Sequence, residues 1–225
     1  MENQKKKWPV FPIVGRALYP RIVTPSAFDG EGAEKYSMIL LIPKDNKAIE
    51  PYVKSLAGFC KEEFSKGRIP ANKRPFFDGD NYNEMAAISD ASLGDDNSQS
   101  SQRKEYAGNY VLKTGLAATQ KNGREQKPNL VNKVGSKITS EGVIYGGCWV
   151  SMTVASGGFY DHPKWGPMMQ FQINTVKFEG HDTPLGTSSE GFAPVVPEIA
   201  GSFGSAAPTF DDSDFGPGDD DENPF

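Results

Sequence analysis

Apolar positions recur with two different periods along the chain. Five segments have the short runs or strict alternation that are typical of β-strands: Ile13 to Tyr19, Lys35 to Pro43, Asn109 to Thr119, Gly142 to Tyr160, and Pro167 to Gly180. We expect the first to be an edge strand because prolines flank it. In the fourth, we expect the Gly-Gly pair at 146–147 to bend the strand.

One segment has a helical period instead. Apolar side chains recur three or four residues apart at Tyr52, Val53, Leu56, Phe59, Cys60 and Phe64. Pro51 suits the first helical position and Gly67 the C-terminal cap. The apolar stripe predicts burial in the core; the alternative is a surface for a partner protein.

Two further segments, between the helix and the later strands, predict a long loop and a tight turn. Residues 68–105 are rich in turn formers and predict mostly loop. The Asn-Gly pair in "QKNGREQK", Gln120 to Lys127, predicts a tight hairpin turn, and "PNLVN" at 128–132 is expected to continue the return strand.

This order of elements predicts a mainly all-β fold. The pattern favours a five-stranded OB-like antiparallel barrel with one inserted α-helix, long loops and a disordered acidic C-terminal tail. A β-sandwich would satisfy the same pattern.

Composition divides the chain into three parts. Residues 1–180 are expected to form the folded domain, 181–209 a flexible linker rich in Gly, Ser, Pro and Ala, and 210–225 an acidic tail. All 24 Lys and Arg lie at or before Lys177, whereas 10 of the 29 acids lie in 181–225. The body therefore carries +5 and the remainder −10, which favours a basic binding surface with an acidic arm.

Several classes of protein are disfavoured. Two cysteines, Cys60 and Cys148, make no disulfide framework, and neither a secretory signal nor an 18-residue apolar run is present, so we expect a cytoplasmic protein. P-loop and G-x-S-x-G patterns are lacking, and His and Cys residues have no metal spacing. We therefore expect no enzyme, cofactor or metal.

Basic residues interleaved with aromatic residues indicate a different chemistry. Cations follow the phosphates of single-stranded nucleic acid, and ring faces stack on its bases. The candidate binding residues are Lys73, Arg74, Phe77, Arg103, Lys113, Lys121, Arg124, Lys127, Tyr160, Lys164 and Trp165. Alternatively, Phe77 fills the bottom of the barrel, and the hairpin bases form only a solvated turn.

The acidic end of the chain predicts a second binding element. A polyanion resembles a phosphate backbone, so it can occupy the basic surface until DNA displaces it. Phe225 after Pro224 suits an apolar pocket with a basic rim on another protein. The candidate partner-binding residues are Asp219, Asp220, Asp221, Glu222, Pro224 and Phe225. The alternative is a tail that only aids solubility.

These residues resemble two known groups of proteins. The tail "DDDENPF" is similar to the C-terminal tip of bacterial single-stranded-DNA-binding proteins. The body resembles the phage single-stranded-DNA-binding family in "RPFFDGD" at 74–80, in "YVLKTGLAAT" at 110–119 with its basic hairpin, and in "GFYDHPKWGPMMQFQINTVKF" at 158–178.

The resemblance implies an OB barrel that coats single-stranded DNA in replication, recombination and repair in the phage-infected host cell. It further implies recruitment of polymerase and helicase or primase through the tail, homodimers, and strand annealing. Lys121 and Arg124 match basic hairpin positions, and Tyr160, Lys164 and Trp165 match an aromatic–basic loop. Two alternatives stay open: an RNA-binding OB protein, and an assembly protein with a basic docking face.

Overall fold

A computed structural model describes residues 9–28, 31–67, 69–70, 73–93, 103–120, 122–162 and 166–185. The elements in this part are β1 (Val10–Phe28), β2 (Glu31–Pro43), α1 (Glu50–Ser65), β3 (Phe76–Asp78), α2 (Gly79–Leu93), β4 (Asn109–Ala117), β5 (Asn129–Val131), β6 (Trp149–His162) and β7 (Gly166–Gly180). A short 3-10 turn, Lys104–Tyr106, precedes β4.

The strands form one sheet that closes on itself. Their order is β3-β4-β2-β1-β6-β7-β5, and a parallel pairing of Thr114 in β4 with Phe171 in β7 joins the two sides. The closed barrel therefore consists of β1, β2, β4, β6 and β7. The closure confirms the expected OB-like architecture and rules out the open sandwich.

Alternate side chains of the barrel strands and one face of α1 form the main core. Ile13, Leu40, Leu112 and Phe171 are fully buried there. The ring of Phe59 in α1 lies 5.1 Å from that of Phe11 and 6.4 Å from that of Phe171, measured between centroids. The helical period of this segment is thus confirmed as a core-facing stripe, with Pro51 in the first turn and Gly67 after the last, at φ +67°.

The prediction of an edge position for β1 is wrong, since β1 lies between β2 and β6. It pairs with β6 from Val10 to Arg16 and with β2 from Arg16 onward. Pro12 therefore lies where β1 has one neighbour, and Pro20 lies in a register shift after Leu18. Prolines are tolerated at such irregular or one-sided positions because no ladder hydrogen bond is lost.

The segment predicted as mostly loop contains a second helix, α2, in the described part of the chain. Asp78 begins it: one carboxylate oxygen accepts hydrogen bonds from the backbone N–H groups of Asp80 and Asn81, at 2.9 and 3.3 Å. An aspartate in this position satisfies N–H groups that have no partner within the helix. The turn formers of "DGDN" are therefore the cap and first turn of a helix.

Two strand predictions in the second half need correction. β6 begins at Trp149, seven residues after the expected start at Gly142. Its register with β7 shifts at three places, namely Trp149/Val150, Thr153/Val154 and Ser156/Phe159. The expected return strand, observed as β5, pairs in parallel with β7 and not with β4. The Asn-Gly turn itself is present, with a backbone bridge between Thr119 and Glu125.

Within the described ranges, no helix combines the length and apolar character that a membrane span requires. Over the same ranges, no three His, Cys, Asp or Glu side chains gather at distances suitable for a metal ion.

Candidate nucleic-acid interface

The outer face of β2 and β4 is the part of this barrel on which sequence-predicted residues converge. In OB barrels, the second and third barrel strands bind oligonucleotides together with two flanking loops. Here those strands are β2 and β4, which pair in antiparallel register from Lys35 and Ala117 to Pro43 and Asn109. The short strand β3 extends this face because it pairs with the first half of β4.

Successive residues of β3 point to opposite sides of the sheet. Phe76 pairs with Leu112, and both belong to the main core. Phe77 pairs with Val111 and packs into a second cluster on the outer side, where it is half-buried. Phe77 is therefore not a plug of the barrel interior.

Three rings and two cations form what we call the basic–aromatic cluster: Phe77, Tyr82, Tyr106, Arg103 and Lys113. The ring centroids of Phe77 lie 5.4 Å from Tyr82 and 5.8 Å from Tyr106, and those tyrosines lie 5.3 Å apart. The ammonium of Lys113 lies 5.1 Å from the centre of the Phe77 ring. α2 supplies Tyr82, and its Asn83 hydrogen-bonds the backbone of Arg103 at 2.8 and 2.9 Å.

The electrostatics of Lys113 favour an anion. Partial desolvation of its ammonium, and secondly the charge of Arg103, lower the pKa of Lys113. The Lys113 side chain is nevertheless exposed, so a phosphate can reach it, and the charge of that phosphate would offset the repulsion between the two cations.

The two nearby carboxylates share one ammonium group. Lys44 contacts Asp78 at 2.6 Å and Asp80 at 2.7 Å. Burial would lower the pKa of Lys44, but these hydrogen bonds outweigh it and raise the pKa. The Lys44 hydrogen bond, followed by that from the N–H of Gly108, lowers the pKa of Asp80. Both acids are therefore held by a cation and by backbone N–H groups.

Two predicted residues lie beside the hairpin between β6 and β7. The ammonium of Lys73 is 4.0 Å from the position that a Cβ on Gly166 would take, at the start of β7. Tyr160 is 41% exposed, and its hydroxyl donates to the sulfur of Met168 at 3.8 Å. Arg74 points elsewhere, with its guanidinium 4.9 Å from the centre of the Phe64 ring of α1.

The basic turn after β4 lies at the other end of that strand. Arg124 and Lys127 are exposed there, and the turn is tied to β2 by a 2.9 Å hydrogen bond from the N–H of Ala118 to the carbonyl of Glu34. Glu34 and Glu125 accompany these bases, so the turn is not purely basic. Lys121, Lys164, Trp165 and all predicted tail residues lie outside the described residues.

The candidate set omits Tyr82 and Tyr106, although both rings hold Phe77. The signal for Tyr82 is the capping aspartate at 78 with the helix-favouring run Met-Ala-Ala at 85–87. Recognising α2 would have placed Tyr82 one turn from Phe77. Tyr106 is buried, and its pKa is raised to about 12 by desolvation first and by Tyr82 second.

A comparison with models of known protein families shows to which family this chain belongs. The family model described as the ssDNA-binding protein of Enterobacter phage Enc34 matches residues 12–193. The chain belongs to this family. The resemblance to phage single-stranded-DNA-binding proteins is thereby confirmed. No curated protein sequence matches the chain significantly.

Solved structures share the fold of this Enc34-type chain. A single-stranded DNA-binding protein from bacteriophage Enc34 in complex with ssDNA has a TM-score of 0.53 at 23% identity, covering 77% of this chain and 87% of that one. Bacteriophage T7 gp2.5, a single-stranded DNA-binding protein, has a TM-score of 0.51 at 17% identity, covering 84% of this chain and 99% of that one.

Proposed function

We propose that this protein binds single-stranded DNA without sequence preference through the outer face of β2, β3 and β4. The basic–aromatic cluster carries the proposal: Lys113 lies over the Phe77 ring, and the charge of Arg103 acts on Lys113, on the face where OB barrels bind oligonucleotides. Membership of the Enc34 family, and the ssDNA present in a related structure, support the choice of ligand.

The chemistry of the cluster explains the lack of sequence preference. Every base has a π face, so a half-buried phenylalanine accepts any of them, at about 1–3 kcal/mol per stacked base. Lys113 and Arg103 pair with phosphates, which carry no sequence information. The tyrosines beneath hold the Phe77 ring in place, so it loses little freedom when a base stacks.

The remaining predicted bases extend the path of the strand. Lys73 and Tyr160 lie at the β6–β7 hairpin, for which we also propose Lys164 and Trp165 as contacts. For Arg124 and Lys127, and for Lys121 as well, we propose contacts with phosphates beyond the C-terminal end of β4. Arg74 serves the fold through Phe64, with only a long-range electrostatic effect on DNA.

The acidic segment 210–225 competes with DNA for this face. Its negative charge resembles that of a phosphate backbone, so its acidic side chains pair with Lys113 and Arg103 until DNA displaces them. Once displaced, Asp219 to Glu222 with Pro224 and Phe225 recruit polymerase and helicase or primase. We further propose a homodimer, a role in phage replication, recombination and repair in the host cytoplasm, strand annealing, and no enzymatic activity.

A truncated chain that tests this proposal should retain residues 181–185. The N–H of Leu185 donates to the carbonyl of Gly146 at 2.7 Å, and the indole N–H of Trp149 donates to Asp182 at 2.9 Å. These residues, which we call the strap, pack on the barrel. We therefore place the proposed boundary of the DNA-binding domain after Leu185 and not at Gly180.

The experiment is a fluorescence-anisotropy titration of labelled dT oligonucleotide with the full chain and with a chain ending at Leu185, at two salt concentrations. We expect both to bind, the shorter chain more tightly at low salt, with the two affinities converging at high salt. An unlabelled RNA competitor of equal length should displace the DNA poorly. Absence of binding by either chain would refute the proposal. Tighter binding of RNA than of DNA would show that the ligand is RNA.

A further inference from the structure

Tyr19 in β1 has a backbone conformation that its side chain disfavours. In the described ranges it is the only residue other than glycine with a positive φ, at 49°. Left-handed backbone is unfavourable for a bulky residue, and such strain persists only where the surroundings enforce it. The Tyr19 side chain is nevertheless 44% exposed, so burial of the ring does not explain the residue.

The backbone around Tyr19 is held by the segment before β6 and by the strap. The N–H of Gly147 donates to the carbonyl of Ala17 at 2.7 Å, and the N–H of Ala17 donates to Cys148 at 2.9 Å. A Cβ on Gly146 would lie 2.3 Å from the Leu185 carbonyl and 4.0 Å from the Tyr19 nitrogen. The register of β1 then shifts before Arg21. The strained conformation is therefore built into the fold.

The position of Tyr19 adjoins the basic–aromatic cluster. Its neighbour Leu18 packs in the same outer cluster as Tyr106 and Phe77, and Leu18 pairs with Ile39, which pairs with Lys113 on the next strand. The hydroxyl of Tyr19 is close enough to Tyr106 to contribute to its raised pKa. An exposed ring thus lies at the β1 end of the face whose opposite end holds Phe77.

We propose that Tyr19 is a second base-stacking residue for single-stranded DNA, held outward from β1 by its left-handed backbone. The proposal rests on the proposed function. Cations accompany both ends of the face: Lys113 at Phe77, and the exposed Arg21 two residues after Tyr19. An exposed aromatic ring beside phosphate-binding cations is the arrangement that stacks bases. The strain keeps the ring outside the packed cluster.

The test substitutes the ring and the backbone preference separately. Tyr19→Asn removes the ring but tolerates positive φ, Tyr19→Gly removes the ring and the strain, and Tyr19→Phe keeps the ring. Val134→Ala, at an apolar residue that is 83% exposed in the turn after β5, is the control. Affinity for labelled dT oligonucleotide is measured with the full chain at two salt concentrations, and the melting temperature of each variant is recorded.

We expect Tyr19→Asn and Tyr19→Gly to weaken binding about 5- to 150-fold with an unchanged salt slope. Tyr19→Phe and Val134→Ala should bind within about twofold of the parent, since a stacked ring needs no hydroxyl. Tyr19→Gly should melt above the parent and Tyr19→Asn no lower than it. Lost affinity with gained stability is the signature of a residue strained for binding.

Three results would overturn the inference. Normal affinity of Tyr19→Asn, while Lys113→Met still changes the salt slope, would remove Tyr19 from the site and leave the proposed function standing. A lower melting temperature in both ring-less variants would assign the ring to packing. Failure of the parent chain to bind DNA would refute the proposed function, and the role of Tyr19 with it.

Discussion

Replacing Lys113 by methionine removes one positive charge and little volume from the basic–aromatic cluster. The methionine side chain can still cover the Phe77 ring, over which the Lys113 ammonium lies at 5.1 Å. Single strands lose about 0.7 units of salt slope for each phosphate contact that is removed. Over a fourfold rise in salt, from about 50 to 200 mM, the deficit of the variant should therefore shrink about 2.6-fold.

The same substitution should not harm the fold. The pKa of Lys113 in the folded chain lies below its ordinary value of 10.5. Protonation therefore favours the unfolded chain at every pH below the folded pKa, and this penalty disappears as the pH rises through 10.5. Methionine removes the penalty and also a cation–π contact of about 0.5–1 kcal/mol. The two effects oppose each other, so we expect a melting temperature at pH 7 close to that of the parent.

The assay is the anisotropy titration with dT oligonucleotide at four salt concentrations, beside thermal melts at pH 7. Lys61→Met is the control, because it removes the same charge from the exposed side of α1. Parallel slopes for Lys113→Met and the parent would refute a phosphate contact at Lys113. An equal slope change in the control would show that only net charge matters and that the face is not the site.

Three further predictions concern the cluster, the strap and the thiols. Phe77→Leu should cost about 1–3 kcal/mol of DNA binding with an unchanged salt slope, and normal affinity would remove the ring from the site. Gly147→Ala, at φ +108° with its Cβ 2.2 Å from a strap carbonyl, should lower the melting temperature by several degrees more than Gly135→Ala, at φ +83° with open space among the described residues. Equal losses would exclude the clash. Burial raises the pKa of Cys60 and Cys148 to about 12, so iodoacetamide at pH 8 should label them only in urea; rapid labelling without urea would contradict their burial.

Hydrophobic periodicity correctly predicted the strand and the helix in which buried side chains recur at a regular spacing. The alternation in 167–180 and the three- and four-residue spacing in 51–67 both reappear, as β7 and α1. Each of these patterns follows from one continuous buried face. Barrel closure could also be anticipated, since an open sheet of five strands leaves two edges that closure removes.

The errors arose where a long-range contact decided the local structure. The Gly-Gly pair at 146–147 resembles a strand kink, but the strap packs against it, and β6 starts only at Trp149. β5 follows a hairpin turn, yet it pairs with β7 because that edge is open. Neither partner is near in sequence, so no window of local pattern contains the information.

The candidate site shows the same division at the scale of single residues. From the sequence, Lys113 and Phe77 could be identified only as two of many candidate binding residues, and nothing indicated that they lie side by side. β3–β4 pairing selects them, because it sends Phe76 and Leu112 inward and leaves Phe77 and Lys113 on the outer face. The β3–β4 register thus assigns adjacent residues of the same type, such as Phe76 and Phe77, to the core and to the candidate site.

The same register allows one short strand to serve both stability and the proposed DNA binding. Core packing of Phe76 fixes the backbone of β3, and the rings of Tyr82 and Tyr106 fix the outward side chain of Phe77. A base that stacks on this ring meets a surface ordered before binding, so little of the stacking energy is spent on ordering side chains. Loosening the tyrosines should therefore weaken DNA binding even though neither ring needs to touch the strand.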